Sequence, residues 1–138
     1  MLAICCLCSM ALTAQTFDAG NLPVTIPSVA GDGDAVISVT ASGVVGTDVG
    51  IEGVLATIDH DFINDYSVFL ISPEGTQLQL TFRAGTDLDV TFDDRADASI
   101  ADADFINGFD LTGSFAPYGG FLYTSFAGDE VQGDWILR

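Results

Sequence analysis

Tyr66-Ser67-Val68-Phe69-Leu70-Ile71-Ser72-Pro73-Glu74-Gly75-Thr76-Gln77-Leu78-Gln79-Leu80-Thr81-Phe82 is the stretch that decides the fold. Tyr66 to Ile71 is apolar on both faces of an extended chain, which predicts a central strand covered on each side. Ser72-Pro73-Glu74-Gly75 then puts proline where φ near −65° is wanted and glycine where φ can be positive. Gln77 to Phe82 alternates polar and apolar. Two periodic runs around such a turn predict a β-hairpin.

The same period of two extends on either side. Ala35 to Ser42 places Ile37, Val39 and Ala41 on one face and Ser38, Thr40 and Ser42 on the other. Val54 to His60 aligns Val54, Ala56, Ile58 and His60. Shorter strands are expected at Leu88 to Phe92, Thr112 to Phe115, Phe121 to Phe126, and from Trp135 onward. No segment sustains an i, i+3, i+4 apolar pattern with caps, so helix is expected to be scarce. Many short strands with frequent Gly and Asp turns predict an all-β sandwich or barrel. Ten Phe and one Trp provide a broad apolar interior and favour the sandwich.

Residues 1–15 read differently. Met1 to Ala14 has only Ser9 and Thr13 as polar residues, a run too short to span a bilayer but suited to the apolar region of a signal peptide. No Lys or Arg occurs before Arg83, so the leader reads as incomplete at its start, with cleavage near Ala14 or Gln15. Cys5, Cys6 and Cys8 all fall within it. The domain of residues 16–138 therefore contains no cysteine for a disulfide, a thiolate nucleophile or a zinc site. The chain ends inside an expected strand at Trp135-Ile136-Leu137-Arg138, which reads as a domain truncated at its C-terminus. These features predict a secreted or cell-surface protein.

Charge narrows the partners. Twenty acidic residues face three arginines (Arg83, Arg95, Arg138), giving a net charge of −17. Such a field repels nucleic acid and anionic membranes, and it suits divalent cations or basic partners. Most of the acids are Asp, the side chain favoured in turns.

Three further stretches, in order, carry a resemblance. The first is His60-Asp61-Phe62-Ile63-Asn64-Asp65-Tyr66-Ser67-Val68-Phe69-Leu70-Ile71-Ser72-Pro73-Glu74-Gly75-Thr76. The second is Thr91-Phe92-Asp93-Asp94-Arg95-Ala96. The third is Phe126-Ala127-Gly128-Asp129-Glu130-Val131-Gln132-Gly133-Asp134-Trp135-Ile136-Leu137-Arg138. Together with Ile26-Pro27 and Gly113 to Pro117, they resemble the P domain (P/Homo B domain) of subtilisin/kexin-like proprotein convertases, a module also found in bacterial secreted proteins. Asn64-Asp65-Tyr66 stands where that family has Gly-Asp-Leu, and Arg95 stands where it has an acidic residue. The resemblance implies a jelly-roll-like antiparallel β-sandwich. It also implies a non-catalytic accessory module that supports the folding, stability, and calcium or pH response of a protease catalytic domain in a longer product.

The candidate chemistry is sparse. A serine protease triad needs a histidine between serine and carboxylate. His60 is the only histidine, it shares a face with Val54, Ala56 and Ile58, and no serine lies in a Gly-x-Ser-x-Gly elbow. No catalytic residue is assigned. Asp93 and Asp94 are adjacent and would point apart if extended, which does not suit a facing acid and base. Calcium needs six to eight oxygens on irregular backbone. Asp59, Asp61 and Asp65 lie in or beside one loop and Asp93-Asp94 form another, so Asp65, Asp93 and Asp94 are the candidate metal ligands if the two loops converge as the resemblance implies. Gly31-Asp32-Gly33-Asp34 reads as a turn before a strand. The alternative function is a cell-surface adhesive or glycan-binding module, with Tyr66, Tyr118, Tyr123 and Trp135 as stacking residues.

Overall fold

The computed structural model describes residues 14–27, 30–60, 66–82, 87–103 and 110–138. Residues 1–13 of the expected leader (residues 1–15), Asp61, Asp65 and Arg83 lie outside these residues.

Among the described residues, seven strands carry the fold: β1 (Ala35–Val39), β2 (Val54–Ile58), β3 (Val68–Ile71), β4 (Gln77–Thr81), β5 (Leu88–Phe92), β6 (Leu111–Phe115) and β7 (Gly133–Leu137). They form one sheet in the order β1-β7-β3-β4 and a second in the order β2-β5-β6. The all-β architecture expected from the periodic runs is the one observed. β3 lies between β7 and β4, so its apolar residues are sheltered as a central strand requires. The Ser72-Pro73-Glu74-Gly75 turn closes as expected: the Gly75 N–H donates to the Ser72 carbonyl at 2.9 Å, and Gly75 has φ +90°.

Alternation decides which side chains meet between the sheets. Ile37 pairs with Trp135 across β1 and β7, and Leu70 with Leu78 across β3 and β4. Ala56 pairs with Val90 across β2 and β5. All of these except the half-buried Ile37 are buried, and together with Phe92, Leu88, Leu80, Leu122 and Phe126 they form one continuous apolar cluster drawn from both sheets. At roughly 1.5–3 kcal/mol for each large side chain removed from water, this seam is the main stabilising contribution. Trp135 is 4% exposed. Its ring meets Phe126 edge-on at 5.0 Å, and its indole N–H donates to the Val131 carbonyl at 2.8 Å.

Three local readings are corrected. Phe121 to Phe126 is not a strand: Leu122–Ser125 forms a short helical turn, α1. Leu122 and Phe126 both face the core while Thr124 between them is exposed, a pattern that a helical turn satisfies and a strand's period of two does not. In addition, β6 runs parallel to β5, whereas the sequence reading expected antiparallel pairing throughout. Residues 93–110 are long enough to return the chain to the starting end of β5, which a hairpin turn cannot do. The third correction is in β4, where the register against β3 shifts beside Val68. This bulge places Thr81 opposite Val68 and reverses the expected phase: Thr81 is 0% exposed and Phe82 is 44% exposed.

The bulge leaves the Thr81 hydroxyl buried without a hydrogen-bond partner. A buried unpaired hydroxyl costs about 1–3 kcal/mol. Thr81→Val, which replaces it with a methyl group, is expected to raise the denaturation midpoint by the equivalent of about 1 kcal/mol. Urea unfolding of the two proteins measures this.

Candidate functional site

The loop after β5 holds the candidate acids. Asp93 accepts from the Arg95 backbone N–H at 2.9 Å, from Nε at 3.1 Å and from Nη2 at 3.2 Å. These hydrogen bonds hold the Asp93 carboxyl below its ordinary range. Asp94 points the other way, toward α1. Its Oδ1 accepts the Leu122 N–H at 2.6 Å and its Oδ2 accepts the Tyr123 N–H at 2.8 Å. Asp94 therefore supplies, from a remote loop, the cap that α1 lacks locally, because Phe121 at its start provides no side-chain acceptor. Sequence reasoning missed this partner because the two segments are separated by residues 95–121.

Calcium was expected to join Asp65, Asp93 and Asp94. Of these, Asp93 and Asp94 lie among the described residues and Asp65 does not. A guanidinium occupies the carboxylate of Asp93, and backbone amides occupy both oxygens of Asp94. Among the described residues, no three His, Cys, Asp or Glu side chains gather as a metal-holding group.

The third quoted stretch meets the hairpin turn of the first. Ser72 Oγ donates to Asp129 Oδ2, and Glu74 Oε1 accepts the Glu130 N–H at 2.8 Å. Gly133 has φ +132°, and a Cβ there would stand 2.9 Å from Pro73 Cβ. Only glycine fits that close approach.

Two shallow hollows open on this framework. One, of about 230 Å3, is lined by Ile51, Glu52, Asp93, Asp94, Arg95 and Tyr123 together with Gly50. The other, of about 290 Å3, lies at the opposite end of β2 and β5, where Asp59, Asp87, Asp89 and Asp110 surround Ile58, Leu88 and Leu111. Of the four rings considered for glycan stacking, Trp135 is in the core and Tyr66 is half-buried, while Tyr118 and Tyr123 are exposed. Tyr118 packs against Phe82 with ring centroids 5.6 Å apart.

His60 braces the loop end of β2. Its ring lies 5.0 Å from that of Tyr66, and its backbone N–H donates to Asp87 Oδ1 at 3.0 Å. Burial pushes the Tyr66 hydroxyl well above the ordinary tyrosine range, and the Asp87 charge adds to the shift. A second ion pair was not foreseen. Arg138 grips Asp34 through Nε and Nη2, both at 2.7 Å, with Asp32 at 3.7 Å. It fastens the end of β7 to the entry of β1 and lowers the pKa of the Asp34 carboxyl through that hydrogen bond.

Two measurements test this geometry. Asp94→Ala is expected to destabilise the fold by about 1–2 kcal/mol, the usual cost of a lost helix cap, and Asp94→Asn by less. Arg95→Ala, which removes a largely exposed side chain, leaves the unfolding midpoint almost unchanged. Tyr66 should also titrate late. Its raised folded pKa means that its contribution to stability is intact below the ordinary tyrosine range and is lost as pH rises through the folded value. Ultraviolet titration should show the Tyr66 phenolate forming at lower pH in Asp87→Asn than in the parent chain.

No family model, curated protein or solved structure matches the chain.

Proposed function

We propose that the chain is a non-catalytic accessory module of the P/Homo B type with a jelly-roll-like sandwich, exported and associated with a subtilisin-like serine endopeptidase. One observation carries this reading: the three stretches that resemble that family contact one another or a shared element at one end of the fold. Ser72 and Glu74 of the first stretch bond to Asp129 and Glu130 of the third, and Pro73 packs on Gly133. Asp94 of the second holds the start of α1, which leads directly into Phe126 of the third. Their order in the chain thus accompanies a shared structural task.

The proposed role is to stabilise a neighbouring catalytic domain through a preformed rigid surface. The acidic charge is in keeping with a basic partner surface.

The test joins the chain to the C-terminal side of a subtilisin-like catalytic domain from the same genome. The fusion should yield more active protease with a higher thermal midpoint than the catalytic domain alone. An unchanged yield and midpoint would remove the reading, as would peptide turnover by the purified chain itself. Chelation is the companion measurement. With Asp93 and Asp94 held by protein groups, EDTA is expected to leave the chain's melting midpoint unchanged. A drop restored by calcium would instead place a cation among Asp65, Asp93 and Asp94.

A further inference from the structure

Every open sheet has two edges, and each edge strand presents unpaired backbone groups to any chain that can lie beside it. In the four-stranded sheet both edges are occupied. Along β1, Gly20 N–H donates to the Val36 carbonyl at 3.0 Å. The Asn21 side chain adds hydrogen bonds at 2.8 Å to the Asp34 carbonyl and from the Val36 N–H. Along β4, Tyr118 N–H donates to the Leu80 carbonyl at 2.9 Å and Gly119 N–H to the Gln79 carbonyl at 2.8 Å. In the three-stranded sheet, β6 carries Gly113 at φ +121° in its middle, outside regular strand geometry, and the chain joins Ser99 by a parallel bridge just past its end.

Among the described residues, β2 has none of these covers. Val54–Ile58 pairs with β5 on one side, and its backbone makes no hydrogen bond to a described residue on the other. Its register is regular over all five residues. Leu55, the second residue of the strand, is 67% exposed on the solvent face beside Thr57. A regular, unpaired edge that carries an exposed leucine is a template for strand addition.

Charge selects the occupant. Glu52 precedes the edge and Asp59 follows it, and Thr57 bonds to Asp89 on the next strand. The acidic hollow lies at the Ile58 end of the edge, with apolar side chains among its carboxylates. It suits the aliphatic stem and cationic head of lysine or arginine. A second copy of this chain would bring another −17 charge to the same edge and is disfavoured. We propose that the free edge of β2 receives an extended, lysine- or arginine-bearing segment of a partner protein as an added strand, with one basic side chain seated in the hollow beside Asp59 and Asp89. This inference is independent of the protease-associated reading.

The experiment uses the purified chain and fluorescent peptides of about eight residues that alternate Val and Thr, with Lys at both ends. Anisotropy should show binding that weakens at least tenfold between about 50 and 500 mM salt, as the Debye length shrinks. Amide exchange at Val54–Ile58 should slow at least tenfold with the peptide present, while Ala35–Val39 on the covered edge stays unchanged. A peptide N-methylated along one edge and a Glu-ended peptide should both bind at least tenfold more weakly, and Leu55→Lys should weaken binding without altering the circular dichroism spectrum. Equal binding of the N-methylated peptide, or binding without protection at Val54–Ile58, would overturn the added strand. Equal binding of the Glu-ended peptide would overturn the basic partner. Concentration-dependent protection of Val54–Ile58 without peptide would assign the edge to a second copy and overturn the proposal.

Discussion

The apolar seam between the two sheets is the constraint on which everything else depends. Among the described residues there is no cysteine, so no covalent link relieves the core of its task. Leu70, Leu80 and Trp135 from one sheet and Val90 and Phe92 from the other enter a single cluster. Each sheet alone would leave one apolar face in water, and neither would be stable. The sandwich exists because the two faces are buried against each other.

The loops do secondary work that the seam makes feasible. Once the sheets are stacked, α1 lies over one end, with Leu122 and Phe126 inserted among the core side chains. A single helical turn has little stability of its own. It persists because Asp94 takes two of its orphan amides and because the core holds its apolar side. The β3–β4 turn is tied in the same way to the segment before β7, through Ser72, Pro73 and Glu74. The acids that carry these ties are therefore structural as well as surface charges. Asp93 and Asp94 are adjacent in sequence, yet one binds a guanidinium and the other caps a helix.

Much of the architecture was readable in the chain because a period of two leaves little choice. The β3–β4 hairpin, the inward set of β1 and the inward set of β2 follow from alternation and from one Pro-x-Gly turn. The misread elements have a common cause. Phe121 to Phe126 has three aromatic residues and one β-branched residue, and local propensity alone points to strand. Asp94 and the core reverse that preference from a distance. Thr81 and Phe82 were assigned opposite faces correctly but in the wrong sense, because a bulge shifts phase without leaving a mark in the pattern.

By itself the sequence determined the all-β class, the central position of β3 and the placement of Trp135 in the core, since burial of periodic apolar runs admits few other arrangements. Only the tertiary structure decided the parallel entry of β6, the partners of Asp93, Asp94 and Arg138, and the open edge of β2. Those depend on which distant segments arrive at the same place, and hydrogen bonds and ion pairs act only at contact. Nothing in the local order of residues specifies that arrival.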